Sequence, residues 1–545
     1  MNAYCLRKVK VKPNTIKPCS LITNHIITPI KKASILHCYQ KVRHYFGLCY
    51  FILSPFIIFS KNVNKMSETT VGFKKELNLL NATSIVAGSM IGSGIFIVTA
   101  AMARDLGSAG WILFTWFLTG LLTMSAALSY GELAGMMPNA GGQYVYIQKA
   151  YGKLVSFLYG WTVFTVIQTG VIAAVAVAFA NYTAVFIPKL ETIILETAWL
   201  TITFKQIVAI LSILLLTYIN TNGIESGKKV QLFFTAAKLF ALFALIIMGL
   251  YIGLESNVLS ENFENPWVAF RTVINEDKTI SFTELSGLAL VGAIGATIIN
   301  SLFSSDAWNN VTFIAAEIKD PKKNIPRSLF LGTLIVTIVY ILANLAYLSL
   351  LPVLGDPNGT TDLTKGIMFA SEDRVGAAAA NIILGNIGVF VMAALIMIST
   401  FGCNSGIILA GGRLFYAMSN DGLFFKQAKE LNKNNVPAKA LWVQCAWACI
   451  LCLSGKYGDL LTYATFASLL FYILTIYGIF ILRKKEPAME RPYKALGYPI
   501  VPMFYIVMTT LICAILFIYD TKNTGFGLAI VLLGIPVYYF TQKKE

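Results

Sequence analysis

Residues 84–100 read SIVAGSMIGSGIFIVTA, with three glycines and two serines between Gly88 and Gly94. The stretch is apolar enough for a bilayer. A helix in lipid must satisfy its own backbone groups. Glycines clustered at mid-depth therefore mark either a break lining a cavity or a close helix contact of the GxxxG kind. At a break a second half-helix starts afresh, and its free N–H groups and positive dipole end suit a carboxylate.

The rest of the chain favours the break. Its 545 residues are 56% hydrophobic and 13% charged, with a mean hydropathy of +0.68. That much apolar surface cannot be hidden in water, so an all-α polytopic membrane protein embedded in the lipid bilayer is expected. The formal net charge is +16, but residues 1–65 hold eleven Lys or Arg and no Asp or Glu, which leaves +5 for residues 66–545. No basic stripe with interleaved aromatics is present, so nucleic acid is not an expected partner. Cys449 and Cys452 form a lone CxxC that shares a helix face with Cys445. In an apolar segment these are expected to be small packing residues, because metal and redox motifs need further ligands. His25, His37 and His44 all lie before residue 66, so no histidine metal site or proton relay is expected in the core. There is no P-loop, HExxH or GxSxG, so neither an enzyme nor a cofactor is expected.

Residues 1–65 read as a basic N-terminal extension outside the fold, with translation expected to start at Met66. From there twelve apolar segments of spanning length follow, at about 80–104, 111–136, 153–187, 206–222, 229–253, 286–315, 327–352, 381–412, 438–455, 458–482, 496–519 and 524–541. Leu254–Leu285 has six acids against two bases, and Val353–Ala380 has four against two. Lys319–Arg327, Lys426–Lys439 and Arg483–Lys494 are basic. The alternation puts both ends of the core in the cytoplasm. A second break answers the first: residues 286–315 combine Gly287, Gly292 and Gly295 with Ser304, Ser305 and Asp306 deep in an apolar run. Interrupted helices at matching places in two halves point to a midplane transport site. The halves divide as 66–253 for segments 1–5 and 254–482 for segments 6–10, with segments 11–12 in 483–545.

Lys238 lies too deep in its segment to snorkel. Its ammonium is expected to replace a bound sodium ion at carbonyls freed by the first break, to exchange protons, or to be purely structural. Asp306 has two open readings: substrate amine or coupled proton, against capping of a restarted half-helix. Phe303 is a candidate lid, and Trp308 a second, weaker gate. Glu132, Glu317 and Arg413 lie near cytoplasmic ends and are expected to hold gates or loops.

Several stretches together resemble the amino acid–polyamine–organocation (APC) superfamily, and within it the L-type amino acid transporter-like permeases. They are VAGSMIGSGIF at 86–96, YGELAGMMPNAGGQYVYIQKAYG at 130–152, VQLFFTAAKLFAL at 230–242, AAEIKDPKKNIP at 315–326 and GGRLFYAMSNDG at 411–422. The resemblance implies a LeuT-like inverted repeat of five plus five helices with two more at the C-terminus, twelve transmembrane helices in all. It implies that the substrate carboxylate meets Gly92, Ser93 and Gly94, and that the α-amine meets carbonyls around Ile85–Gly88 and Phe303–Asp306, including Ser304 and Ser305. It assigns Phe303 as the aromatic gate and Lys238 to what is a sodium site in sodium-coupled relatives, hence sodium independence. Two departures stand out. Phe186–Lys205 has no cysteine, so no disulfide-linked heavy chain is expected. Asp306 falls where the family usually has a small residue. The expected activity is secondary amino acid transport by alternating access at the plasma membrane, through proton symport or exchange. Alternatives are a polyamine or cationic amino acid antiporter and a non-transporting amino acid sensor.

Overall fold

The computed structural model describes residues 75–196, 201–274, 280–453 and 457–542. The expected extension at 1–65, and a start at Met66, lie outside the described residues.

The first segment is two helices. Helix α1, Leu79–Met90, begins where the Asn78 side chain accepts from Asn81 N at 2.9 Å, as an N-cap should. It ends at Ile91, whose backbone is extended. A short 3-10 turn at Gly94–Phe96 leads to α2, Val98–Leu106, which stops at a left-handed Gly107. Then come α3 (Ala109–Met136), α4 (Gln143–Tyr151), α5 (Lys153–Phe186), α6 (Phe204–Thr221) and α7 (Ile224–Gly253). The sixth segment is again two pieces: α8, Gly287–Ser304, then a turn through Ala307 at φ +64°, then the single turn α9, Asn310–Phe313. The remainder is α10 (Pro321–Leu350), α11 (Val375–Leu384), α12 (Asn386–Asn420), α13 (Ala438–Leu453), α14 (Tyr457–Lys485), α15 (Ile500–Tyr519) and α16 (Thr521–Gln542).

Ten helices among the described residues are long and apolar enough to cross a membrane. The two predicted segments without one have physical reasons. The first is split by its break. The ninth, α13, has 16 residues and covers about 24 Å at 1.5 Å per residue, short of a hydrocarbon core of about 30 Å. The eighth also differs from expectation, because Gly385, at φ +64°, separates α11 from α12. Leu211, Phe240, Ile247 and Leu533 are exposed on the helix exteriors; a patchwork of this kind belongs against lipid.

Two antiparallel hairpins, β1 (Ile193–Glu196) with β2 (Thr201–Thr203) and β3 (Ala269–Ile274) with β4 (Ile280–Leu285), lie in the loops on the acidic side. On the basic side the chain is tied shut. Glu317 and Arg413 are fully buried and paired at 2.9 Å. The backbone N–H groups of Glu76 and Leu77 donate to Glu317 O at 3.0 Å, and Lys319 N donates to Leu77 O at 2.8 Å. Buried Glu132 accepts from Arg483 at 2.6 and 2.9 Å and from Ala495 N at 2.7 Å. Glu317 and Arg413 thus tie the loop after the second break to α12, and Glu132 ties α3 to the end of α14 and to the loop at Ala495. Removing one partner from such a buried pair typically costs about 3–5 kcal/mol.

Candidate transport site

Between Met90 and Val98 the backbone leaves the helical ladder, and its freed carbonyls must find other donors. Side chains of α7, α10 and α12 supply them. Lys238 Nζ donates to Gly88 O at 2.7 Å, Ile91 O at 2.6 Å and Ser399 O at 3.2 Å. Ser399 Oγ donates to Ile91 O and Gly92 O at 3.1 and 3.2 Å. Cys403 Sγ donates to Ser89 O at 2.9 Å. Tyr340 Oη bridges the two breaks, donating to Met90 O at 3.1 Å and Ser304 O at 3.0 Å.

The amides are treated differently. Among the described residues, no acceptor is bonded to the N–H of Gly92, Ser93 or Gly94. Successive free amides at the start of a half-helix are the kind of backbone that can hold an anion. Glycine at 94 is a packing requirement: a Cβ there would run into the Ser304 side chain, 2.8 Å from its Cβ.

This backbone lines a cavity that lies between the two breaks. Of the predicted substrate residues, Gly92, Ser93, Gly94, Phe303, Ser304 and Asp306 line it. Four of the predicted substrate and gating residues do not. Ile85 is buried in the packing of α1, and the Gly88 carbonyl is occupied by Lys238. Ser305 and Trp308 face a smaller cavity beside the first. Trp308 is 3% exposed and packs edge-on against Tyr130, 4.7 Å between centroids, so it is not a gate of the central cavity.

Phe303 and Gly94 line both the central cavity and an outer vestibule that reaches Tyr182, Asp373 and Arg374 on the acidic side. Phe303 thus stands between the two. Beside the vestibule, Arg104 grips Asp373 through both carboxylate oxygens at 2.7 and 2.9 Å. Asp306 does not cap the restarted helix, whose N-cap is Asn309. Its carboxylate accepts instead from Tyr472 Oη at 2.5 Å. The capping reading is therefore replaced by a carboxylate at the cavity wall.

Sequence inspection missed the opposite wall. Gln143 Oε1 accepts from Tyr159 Oη at 3.0 Å and Asn309 Nδ2 at 2.8 Å, while its Nε2 donates to Thr475 at 3.0 Å. Gln168 Nε2 donates to Ile407 O at 2.7 Å. A glutamine inside an apolar span was a usable signal. Tyr159 and Tyr472 had none, being two of 25 tyrosines.

Two interrupted helices lining one shared cavity are the arrangement found in secondary transporters. The profile described as amino acid permease matches residues 77–538, and the chain belongs to that family, a family of transporters and not enzymes. It is 30% identical to the human large neutral amino acids transporter small subunit 2 over 86% of this chain and 81% of that one. It is 29% identical to the serine/threonine exchanger SteT of Bacillus subtilis (strain 168), over 87% and 98%. Against the mouse Asc-type amino acid transporter 1 the figure is 28%, over 86% and 81%.

Proposed function

We propose that the protein carries free amino acids across the plasma membrane by alternating access, independently of sodium. The observation that carries this is the row of three unbonded amides at Gly92–Gly94, facing a cavity closed off by Phe303 and walled by Asp306. The α-carboxylate sits on those amides, and the α-amine meets backbone of the second break near Phe303 and Ser304. Lys238 Nζ occupies the space among three carbonyls that would otherwise coordinate a small cation, which supports sodium independence. Exchange is favoured by the likeness to a named exchanger, and proton symport by the carboxylate of Asp306 in the cavity wall. The same carboxylate supports a second reading, selection of cationic amino acids or polyamines. The basic loops face the cytoplasm. The chain works without a disulfide-linked heavy chain, as Phe186–Lys205 offers no cysteine.

The test is uptake of labelled amino acids by proteoliposomes, into empty vesicles under a proton or sodium gradient and into vesicles preloaded with amino acid. Uptake is expected with preloading or with a proton gradient, and unchanged when choline replaces sodium. Strict sodium dependence sinks the role given to Lys238. Substrate binding without movement under every condition replaces the transporter by a sensor.

A further inference from the structure

A second, smaller cavity lies behind the wall of the first. Asp306, Ser468 and Tyr472 line both. On its far side are Thr123 and Ala126 of α3, Ser305, Thr465 of α14 and Tyr505 of α15. Thr465 also lines the outer vestibule. The vestibule thus borders the central cavity at Phe303 and Gly94 and the smaller cavity at Thr465, and the smaller cavity meets Asp306 away from the Gly92–Gly94 backbone.

The smaller cavity has a part-polar lining: hydroxyls of Thr123, Ser305, Thr465, Ser468, Tyr472 and Tyr505 stand among the apolar side chains of Ala126, Leu302, Trp308 and Leu469, and it has room for a water. Ser468 Oγ is buried and has no hydrogen-bond partner among the described residues. Buried hydroxyls are nearly always satisfied, and where the protein offers no partner a water with two to four polar neighbours does so. The titratable side chains that face Asp306 are tyrosines: Tyr159 of α5, Tyr472 of α14 and Tyr505 of α15, with Tyr130 of α3 packed behind Tyr472. Among the described residues no Lys or Arg pairs with Asp306. Asp306 is half-buried at the cavity wall, and a carboxylate inside an apolar span without a cation partner needs a proton or a bound cation to be neutral.

We propose that the side cavity is a water-filled proton entry, which loads Asp306 from the acidic side while Phe303 closes the amino acid route. A hydronium in the side cavity gives its proton to the Asp306 carboxylate, leaving one water and one neutral carboxyl. The carboxyl returns the proton to water in the central cavity when that opens to the basic side. Separate entries let proton and amino acid load in either order. This rests on the transport reading above.

Proteoliposomes holding the pH dye pyranine, given labelled L-serine or L-leucine, test it. In the wild type, amino acid entry is expected to acidify the interior. Ala126→Leu fills the side cavity without touching the central one. Exchange between labelled and unlabelled amino acid should stay within about twofold, while acidification per amino acid falls about tenfold, the loss set by a barrier rise of about 1.4 kcal/mol. Thr123→Val keeps the volume and removes one hydroxyl, and should lower acidification about threefold, as for one lost hydrogen bond; it serves if the leucine variant does not fold. Full acidification by either transporting variant overturns the proposal. So does exchange by the wild type with no acidification, or acidification that requires sodium. No movement of any amino acid by the wild type removes the transport reading, and this proposal with it.

Discussion

At the first break, the carbonyls of Ser89, Met90, Ile91 and Gly92 are held by side chains from three other helices, Lys238 among them. At the second break most of the support is local: Ser305 N donates to Ser301 O and Leu302 O, Asp306 N to Phe303 O, and Asn310 N to Ala307 O, with Tyr340 Oη on Ser304 O the contact from another helix. The first presents bare amides to the cavity, and the second presents side chains, Phe303, Ser304 and Asp306. A backbone anchored from outside can hold a ligand feature that never varies, the carboxylate every amino acid shares. A turn held mostly by its own backbone can change its side chains without losing its support, so it is where selectivity and coupling can vary.

That contrast is broken most severely at the contact between the breaks. Gly94→Val places two methyl groups where the Ser304 side chain lies. Overpacking of this kind costs about 1–3 kcal/mol of stability, so the protein should still reach the membrane, but the anion site is obstructed. Uptake is expected to vanish while surface expression holds. Gly170→Ala is the matched control, because nothing lies within 4 Å of its added Cβ, and it should transport normally. Unchanged uptake in Gly94→Val would refute the carboxylate assignment.

The first break was legible in the sequence because its function is written in backbone. Small residues suit a chain that leaves the helix against another backbone, so the run AGSMIGSG at 87–94 announces itself in an apolar stretch. Lys238 was legible for the complementary reason, since charge inside a membrane is expensive. The second break was half legible. Its glycines and Asp306 stood out, but the turn passes through a left-handed residue at Ala307, and alanine gives no warning of that conformation. Ser305 and Trp308 face a different cavity from the one expected. The Gln143–Tyr159–Asn309 wall joins residues from three separate elements, a juxtaposition that tertiary packing alone creates.

A smaller loss is expected from Lys238→Ala. Removing the ammonium leaves the Gly88, Ile91 and Ser399 carbonyls without its three hydrogen bonds, at about 1–3 kcal/mol for each group left unsatisfied. Ser399 Oγ still holds Ile91 and Gly92, so the break should loosen without collapsing. Uptake should fall about tenfold or more and be partly restored by external sodium or lithium, measured as cation-dependent uptake in vesicles. A variant indistinguishable from the wild type would leave Lys238 with a structural role only.

Asp306→Asn should have the smallest effect on total flux and the most informative one. The side chains are nearly equal in volume, and an asparagine Oδ1 can still accept from Tyr472 Oη, so the turn and the amide site at the first break are undisturbed. Exchange of neutral amino acids is therefore expected to continue at roughly half the wild-type rate or better, within the twofold scatter of a single hydrogen-bond change. What the amide cannot do is bind and release a proton. If Asp306 is a proton carrier, the dependence of uptake on external pH disappears while the preference among substrates stays as it was. If it selects cationic side chains instead, pH dependence persists and uptake of arginine and lysine falls relative to serine and leucine. The two profiles move opposite observables, so a single variant assayed over pH with both substrate sets decides which duty the second break performs.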